Sequence, residues 1–160
     1  MTVKRLLYLD FDGVLHAYGE PAVDDDFRFI DNPRLFQWLP ILTDILVPYP
    51  EVRVIVSSDW RYHCDDATLV KLLGPLGARF DGITPSHIGT GLSRAEQILA
   101  HAETLAQNTN WMALDDDMSV RRRADAGDRR FVWCHPETGL SDVRVQAAVC
   151  QWVKHLNKFY

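Results

Sequence analysis

At 160 residues, with 47% hydrophobic and 24% charged, the chain fits one globular domain over residues 1–160 with a full core, and no composition shift or low-complexity linker splits it. A formal net charge of -5 argues against generic nucleic-acid or membrane binding, while leaving room for a local basic patch. No segment approaches the length needed to cross a bilayer, and Met1-Thr2-Val3-Lys4-Arg5 leads into a strand and not a signal peptide, so a cytoplasmic location is expected.

The first element in chain order is an apolar run, Val3 and Leu6 to Leu9, rich in strand formers. It runs into Asp10-Phe11-Asp12-Gly13-Val14-Leu15-His16, where Gly13 frees the backbone to turn. Both carboxylates are therefore expected just past a strand's carboxyl end, where open α/β sheets bind ligands. Acids two apart on an extended chain face opposite ways, but a strand ending at Asp10 lets the chain curl and aim both into one crevice. Two acids there need a cation or a shared proton. A carboxylate is an oxygen ligand suited to Mg²⁺ and also a nucleophile able to form an aspartyl-phosphate. Its twin, with a pKa raised by neighbouring negative charge, can protonate a leaving oxygen and then activate water, so Asp10 is expected to attack and Asp12 to shuttle the proton. The plainer alternative is a solvated loop carrying two acids. Asp-Phe-Asp-Gly-Val-Leu resembles the first motif of the haloacid dehalogenase (HAD) superfamily, whose phosphatase members have Asp-x-Asp-Gly-(Thr/Val)-(Leu/Val).

Residues 17–33, with Gly19, Pro21, Asp24-Asp25-Asp26 and Pro33, read as a polar loop with Phe27, Phe29 and Ile30 interleaved; the triple Asp lacks the spacing of a calcium loop and is expected to be solvated. From Asn32 as N-cap and Pro33 at the first position, the pattern predicts a helix with Leu35, Leu39, Leu42 and Leu46 on one face, kinked or divided at Pro40 and ended by Pro48. Val52 to Val56 is a β-branched strand that stops at Ser57-Ser58-Asp59-Trp60-Arg61. A hydroxyl at a strand end is a neutral donor for a phosphoryl oxygen, or it caps the helix that follows. The arrangement resembles the second HAD motif, with Ser57 the better positional match and Ser58 close behind.

A helix is predicted over Asp65 to Leu73, closed by Gly74-Pro75, and a third strand over Ala78 to Ile83. Cys64, Cys134 and Cys150 are odd in number and lack the close spacings of a zinc site, so they read as reduced, mostly buried thiols. After a Gly-rich loop at 89–91, Ser93-Arg94-Ala95-Glu96 is a capping box opening a helix with Ile98, Leu99, Ala102 and Leu105 inward. A cation in the first turn works against the helix dipole, which points to a use for Arg94 outside the helix. The HAD resemblance implies that use: a Lys or Arg at this place offsets negative charge on nucleophile and phosphate, with Arg94 the better fit and Lys71 the rival.

Trp111 to Leu114 reads as a short buried strand ending at Asp115-Asp116-Asp117. Adjacent acids drawn into a crevice need a cation, and with Asp10 they make a hard oxygen set of the kind Mg²⁺ prefers. This resembles the fourth HAD motif, which assigns metal binding to Asp115 and Asp116 and implies that Asp12 reaches the metal through its backbone carbonyl; Asp117 is expected to cap the next helix. Arg121-Arg122-Arg123 and Arg129-Arg130 are expected to form a solvated face balanced by Asp125 and Asp128, with a phosphate-backbone contact as the sharper alternative. Phe131 to Cys134 predicts a fifth strand, His135 to Gly139 a loop, and Ser141 the cap of a final helix with Val145, Ala148, Val149, Trp152, Val153 and Leu156 facing the sheet.

The strand–helix alternation predicts a doubly wound, mainly parallel five-stranded α/β sheet with helices on both faces. The HAD resemblance covers nearly the whole chain and implies a Mg²⁺-dependent phosphomonoester hydrolase working through an aspartyl-phosphate, with Asp10, Asp12, Ser57 and Arg94 catalytic. Neither the stretch from Asp12 to Ser57 nor that from Ser58 to Arg94 has room for a large cap domain, so the site is expected to be open and suited to a phosphorylated macromolecule, a nucleic-acid end or a phosphoprotein. No obligate protein partner is indicated. Phe-Asp-Gly-Val-Leu-His with Ser-Ser-x-Trp-Arg also resembles the small uncapped HAD domains associated with RNA-repair proteins. Two other readings stand beside this one, a dehalogenase using the same nucleophile on carbon and a receiver-like module phosphorylated on Asp10 without turnover.

Overall fold

The apolar runs pair into one sheet. In the computed structural model, which describes residues 4–155, the strands β1 (Lys4–Leu9), β2 (Val52–Val56), β3 (Phe80–Ile83), β4 (Thr109–Asp115) and β5 (Phe131–Trp133) form an all-parallel sheet in the order β3-β2-β1-β4-β5. Val3 and Leu156, placed above in the first strand and last helix, lie outside the described residues.

β1 is central and covered on both faces, which is why it is a continuous apolar run and not an alternating one. Leu7 and Leu9 pack with the helices α1 (Leu39–Leu46), α2 (Asp66–Leu72) and α5 (Val143–His155) through Leu42, Leu69 and Val149. Leu6 and Tyr8 face the opposite way, onto α3 (Arg94–Ala102) and α4 (Met118–Asp125) through Ala95, Ile98 and Val120. Each buried Leu, Ile or Val among them contributes roughly 1.5–3 kcal/mol of apolar burial. Helices thus cover both faces, and among the described residues no large cap domain interrupts them.

Several boundaries differ from the sequence expectation; β4 starts at Thr109 and not Trp111, and β5 ends at Trp133 and not Cys134. The helix expected from Asn32 begins only at Leu39: Asn32 caps a turn by accepting from the Arg34 amide (3.0 Å), and Phe36 takes a left-handed backbone (φ 56°) that no helix continues through. Pro40 therefore sits in the first turn of α1, where its missing N–H costs nothing, and makes no kink. β3 starts at Phe80 because Gly74–Arg79 winds as a 3₁₀ helix. Ser141 ends another 3₁₀ turn, and it is Asp142 whose carboxylate accepts the Arg144 amide (2.9 Å) at the start of α5.

Among the described residues no helix is long and apolar enough to cross a membrane. The loop after β1 carries a small hairpin in which Val23 pairs with Phe29 and Asp24 accepts the amides of Asp26 and Arg28, so the first of the three consecutive acids shapes a turn.

Candidate active site

Strand register assembles the site. Leu9 is level with Val56 on one side and Leu114 on the other, so the next residues, Asp10, Ser57 and Asp115, stand in a row at the carboxyl edge of the sheet. The backbone ladder continues through them: the Asp10 amide donates to Leu114 O (3.1 Å) and the Ser57 amide to Leu9 O (3.0 Å). The chain leaves β1 toward β2 and returns to β4, so this row lies at the point where strand order reverses.

Carboxylate oxygens of Asp10, Asp115 and Asp116 all lie within 4.8 Å of one another, Asp10 and Asp115 buried and Asp116 half-buried. The countercharge is Arg94, whose guanidinium donates to Asp115 Oδ2 (2.9 Å), lies 3.5 Å from Asp10 Oδ1 and donates to Asp59 Oδ1 (2.6 Å). Burial foremost, and the neighbouring acids next, push the carboxyls of Asp10 and Asp115 up; burial also raises Asp116. Burial works against the charge on Arg94, but Asp115, Asp10 and Asp59 together hold it as a cation more firmly than usual. One cation against three crowded acids leaves the cluster short of positive charge, and its hard oxygen donors fit a divalent ion such as Mg²⁺. Lys71, the rival cation, is exposed in the last turn of α2.

The Asp116 carboxylate reaches the cluster by passing over Gly13. A Cβ at Gly13 would overlap that carboxylate, and the backbone there is left-handed (φ 75°). Gly13→Ala is expected to expel Asp116 from the cluster and to weaken Mg²⁺ binding at least tenfold by isothermal titration. Unchanged affinity would mean that Asp116 is no ligand.

Asp12 points elsewhere. Its Oδ1 meets His16 Nε2 (2.8 Å) and its Oδ2 accepts from Trp60 Nε1 (2.8 Å). The Phe36 amide donates to His16 Nδ1 (3.2 Å), which leaves Nε2 to carry the proton given to Asp12. Burial pulls the Asp12 carboxyl up, yet the hydrogen bonds from His16 and Trp60 outweigh it and leave the pKa below the usual carboxylate range. This corrects the expectation that neighbouring negative charge raises it.

The two serines divide. Ser58 Oγ accepts the Trp60 amide (3.3 Å) as cap of the 3₁₀ helix Asp59–Tyr62. Ser57 Oγ is fully buried and has no hydrogen-bond partner, so Ser57 is the hydroxyl left free at the strand end. Arg61 fixes both backbones by donating to the carbonyls of Ser57 (2.9 Å) and Ser58 (3.0 Å). Farther along the edge, Arg121 pairs with Asp125 (3.9 Å) and lies over the ring of Trp133, whose indole N–H donates to Asp116 O (2.9 Å). Asp117 caps α4 by accepting the Ser119 amide (2.8 Å). His135 is exposed, its ring against Trp133.

His16, Asp59, Trp60 and Arg61 are the site residues that sequence reasoning left without a role. His16 and the Ser-Ser-x-Trp-Arg stretch lay in the motifs themselves, but nothing local signals that an indole N–H reaches a carboxylate 48 positions away.

A family model described as the HAD domain in Swiss Army Knife RNA repair proteins matches residues 6–145. No curated protein and no solved structure gives a significant match.

Proposed function

Because the chain belongs to the family of HAD domains in Swiss Army Knife RNA repair proteins, we propose that it is a Mg²⁺-dependent phosphomonoester hydrolase acting on nucleic-acid-end phosphates. The observation that carries this reading is the buried convergence of Asp10, Asp115 and Asp116 beside Arg94 at the switch point of the sheet.

Asp10, Asp115 and Asp116 would hold the ion, with the Asp12 carbonyl as the family pattern implies, and the bound ion would supply a Lewis acid for the phosphoryl oxygens. Asp10 attacks phosphorus as the bond to the leaving oxygen breaks, giving an aspartyl-phosphate. Arg94 and the free hydroxyl of Ser57 hold the oxygens that gain charge. Asp12 delivers a proton to the leaving group, then takes one from the water that attacks phosphorus and releases phosphate, restoring Asp10. Both of its carboxylate oxygens take hydrogen bonds, from His16 and Trp60, which favour the ionised form that takes the proton, so leaving groups that depart as stable anions are expected to react fastest.

With Mg²⁺ the protein is expected to release phosphate from an aryl phosphate and from 5′- or 3′-phosphorylated oligonucleotides over many turnovers, and EDTA is expected to stop it. At most one phosphorylation per chain, without turnover, would replace the hydrolase reading by that of a phospho-acceptor module.

A further inference from the structure

A cleft of about 640 Å³ opens beside Asp12 and Asp59, and its walls include Phe27, Phe29, Trp60, His63 and Glu20. The volume lies in the range of small-molecule sites. The Phe29 and Trp60 rings run nearly parallel (19°, centroids 6.1 Å apart), while Phe29 is 55% and Phe27 86% exposed. Phe27 holds its exposed ring at the left-handed position (φ 59°) of the hairpin turn, where its amide donates to Asp24 O (3.0 Å) and the turn aims the ring outward.

Resting on the phosphatase reading above, we infer that this cleft is a base-binding subsite, in which the nucleobase of a nucleotide stacks on Phe29 and Trp60 while its phosphate stands at Asp10. Trp60 joins the two places, since the indole that forms the wall also donates to Asp12 Oδ2. The charge of the lining selects the occupant. Asp12, Glu20 and Asp59 already accept from His16 and Trp60, from Asn32 and Arg34, and from Arg94, and the lone pairs left on these carboxylates can accept hydrogen bonds from the exocyclic amino groups of a base. A phosphotyrosine ring has no such donors and fills less of the space. Stacking on aromatic side chains holds single-stranded ends with little preference for sequence.

The test compares kcat/KM for adenosine 5′- and 3′-monophosphates, a 5′-phosphorylated dinucleotide, ribose 5-phosphate and O-phosphotyrosine. The better adenosine monophosphate is expected to exceed ribose 5-phosphate by at least about fivefold. Phe29→Ala and Phe27→Ala are expected to erase that advantage and leave ribose 5-phosphate turnover unchanged. A dinucleotide better than either mononucleotide identifies strand ends as the source of the base, and parity identifies free nucleotides; both keep the subsite. Equal rates with and without a base, or phosphotyrosine as the best substrate, overturn it. Binding is read separately from the Trp60 indole N–H resonance, assigned with Trp60→Phe: adenosine shifts it in the wild type and not in Phe29→Ala, and ribose shifts it in neither. No phosphate release from any compound together with the adenosine shift defeats the hydrolase and keeps the subsite. Release from ribose 5-phosphate without the shift does the reverse.

Discussion

Asp10→Asn is expected to abolish phosphate release, by on the order of 10⁴-fold or more, because an amide cannot form the acyl phosphate and no other carboxylate stands in its place. The fold should survive. Asn keeps the size of the side chain and an oxygen able to accept the Phe11 amide (2.9 Å), as Asp10 Oδ1 does. It also removes one of three crowded negative charges, so the thermal midpoint without Mg²⁺ should stay level or rise. Phosphate release and a thermal melt on the same preparation check both halves; undiminished turnover in material freed of contaminating phosphatase would remove Asp10 as nucleophile.

Arg94→Met has the largest expected effect on stability. Asp115 is fully buried, and taking away its guanidinium partner leaves charges with neither water nor cation, at a cost of about 3–5 kcal/mol at neutral pH. The pH dependence has a definite sign. Carboxyls whose pKa is raised in the folded protein bind protons there before they do so in the unfolded chain, so stability falls as pH rises from the ordinary carboxylate range through the raised values. The variant should therefore be weakest at alkaline pH and recover toward pH 5. Mg²⁺ should also restore it by supplying the missing charge. Denaturant titrations at pH 8 and pH 5, with and without Mg²⁺, test this; the same loss under all four conditions would mean that Arg94 acts by packing alone.

The strand ends were legible because each buried strand is a short apolar run that a polar residue terminates, and pairing in parallel then puts the terminators side by side without further information. The capping box at Ser93 was equally plain, since both of its hydrogen bonds lie within one turn. Asn32-Pro33 carried the local signature of a helix start, but the turns through Phe36 seat its ring against Phe11, His16 and Trp60, and that packing outweighed the propensity. The charge state of Asp12 was misjudged for the same kind of reason. Counting acids in the motif predicts repulsion, whereas the carboxylate turns from its neighbours toward an imidazole and an indole supplied by other turns of the chain. The aromatic cleft likewise needs a hairpin and a 3₁₀ helix brought together from distant segments.

β1 lies between partners that are both made later, and Leu9 meets Leu114 only after most of the chain has been synthesised. Asp10, the proposed nucleophile, thus stays without its partner acids until the long loop between β1 and β4 has closed, because parallel pairing across it waits on that closure. On the hydrolase reading, a product that stops short of residue 115 lacks Asp115 and Asp116 and is expected to release no phosphate.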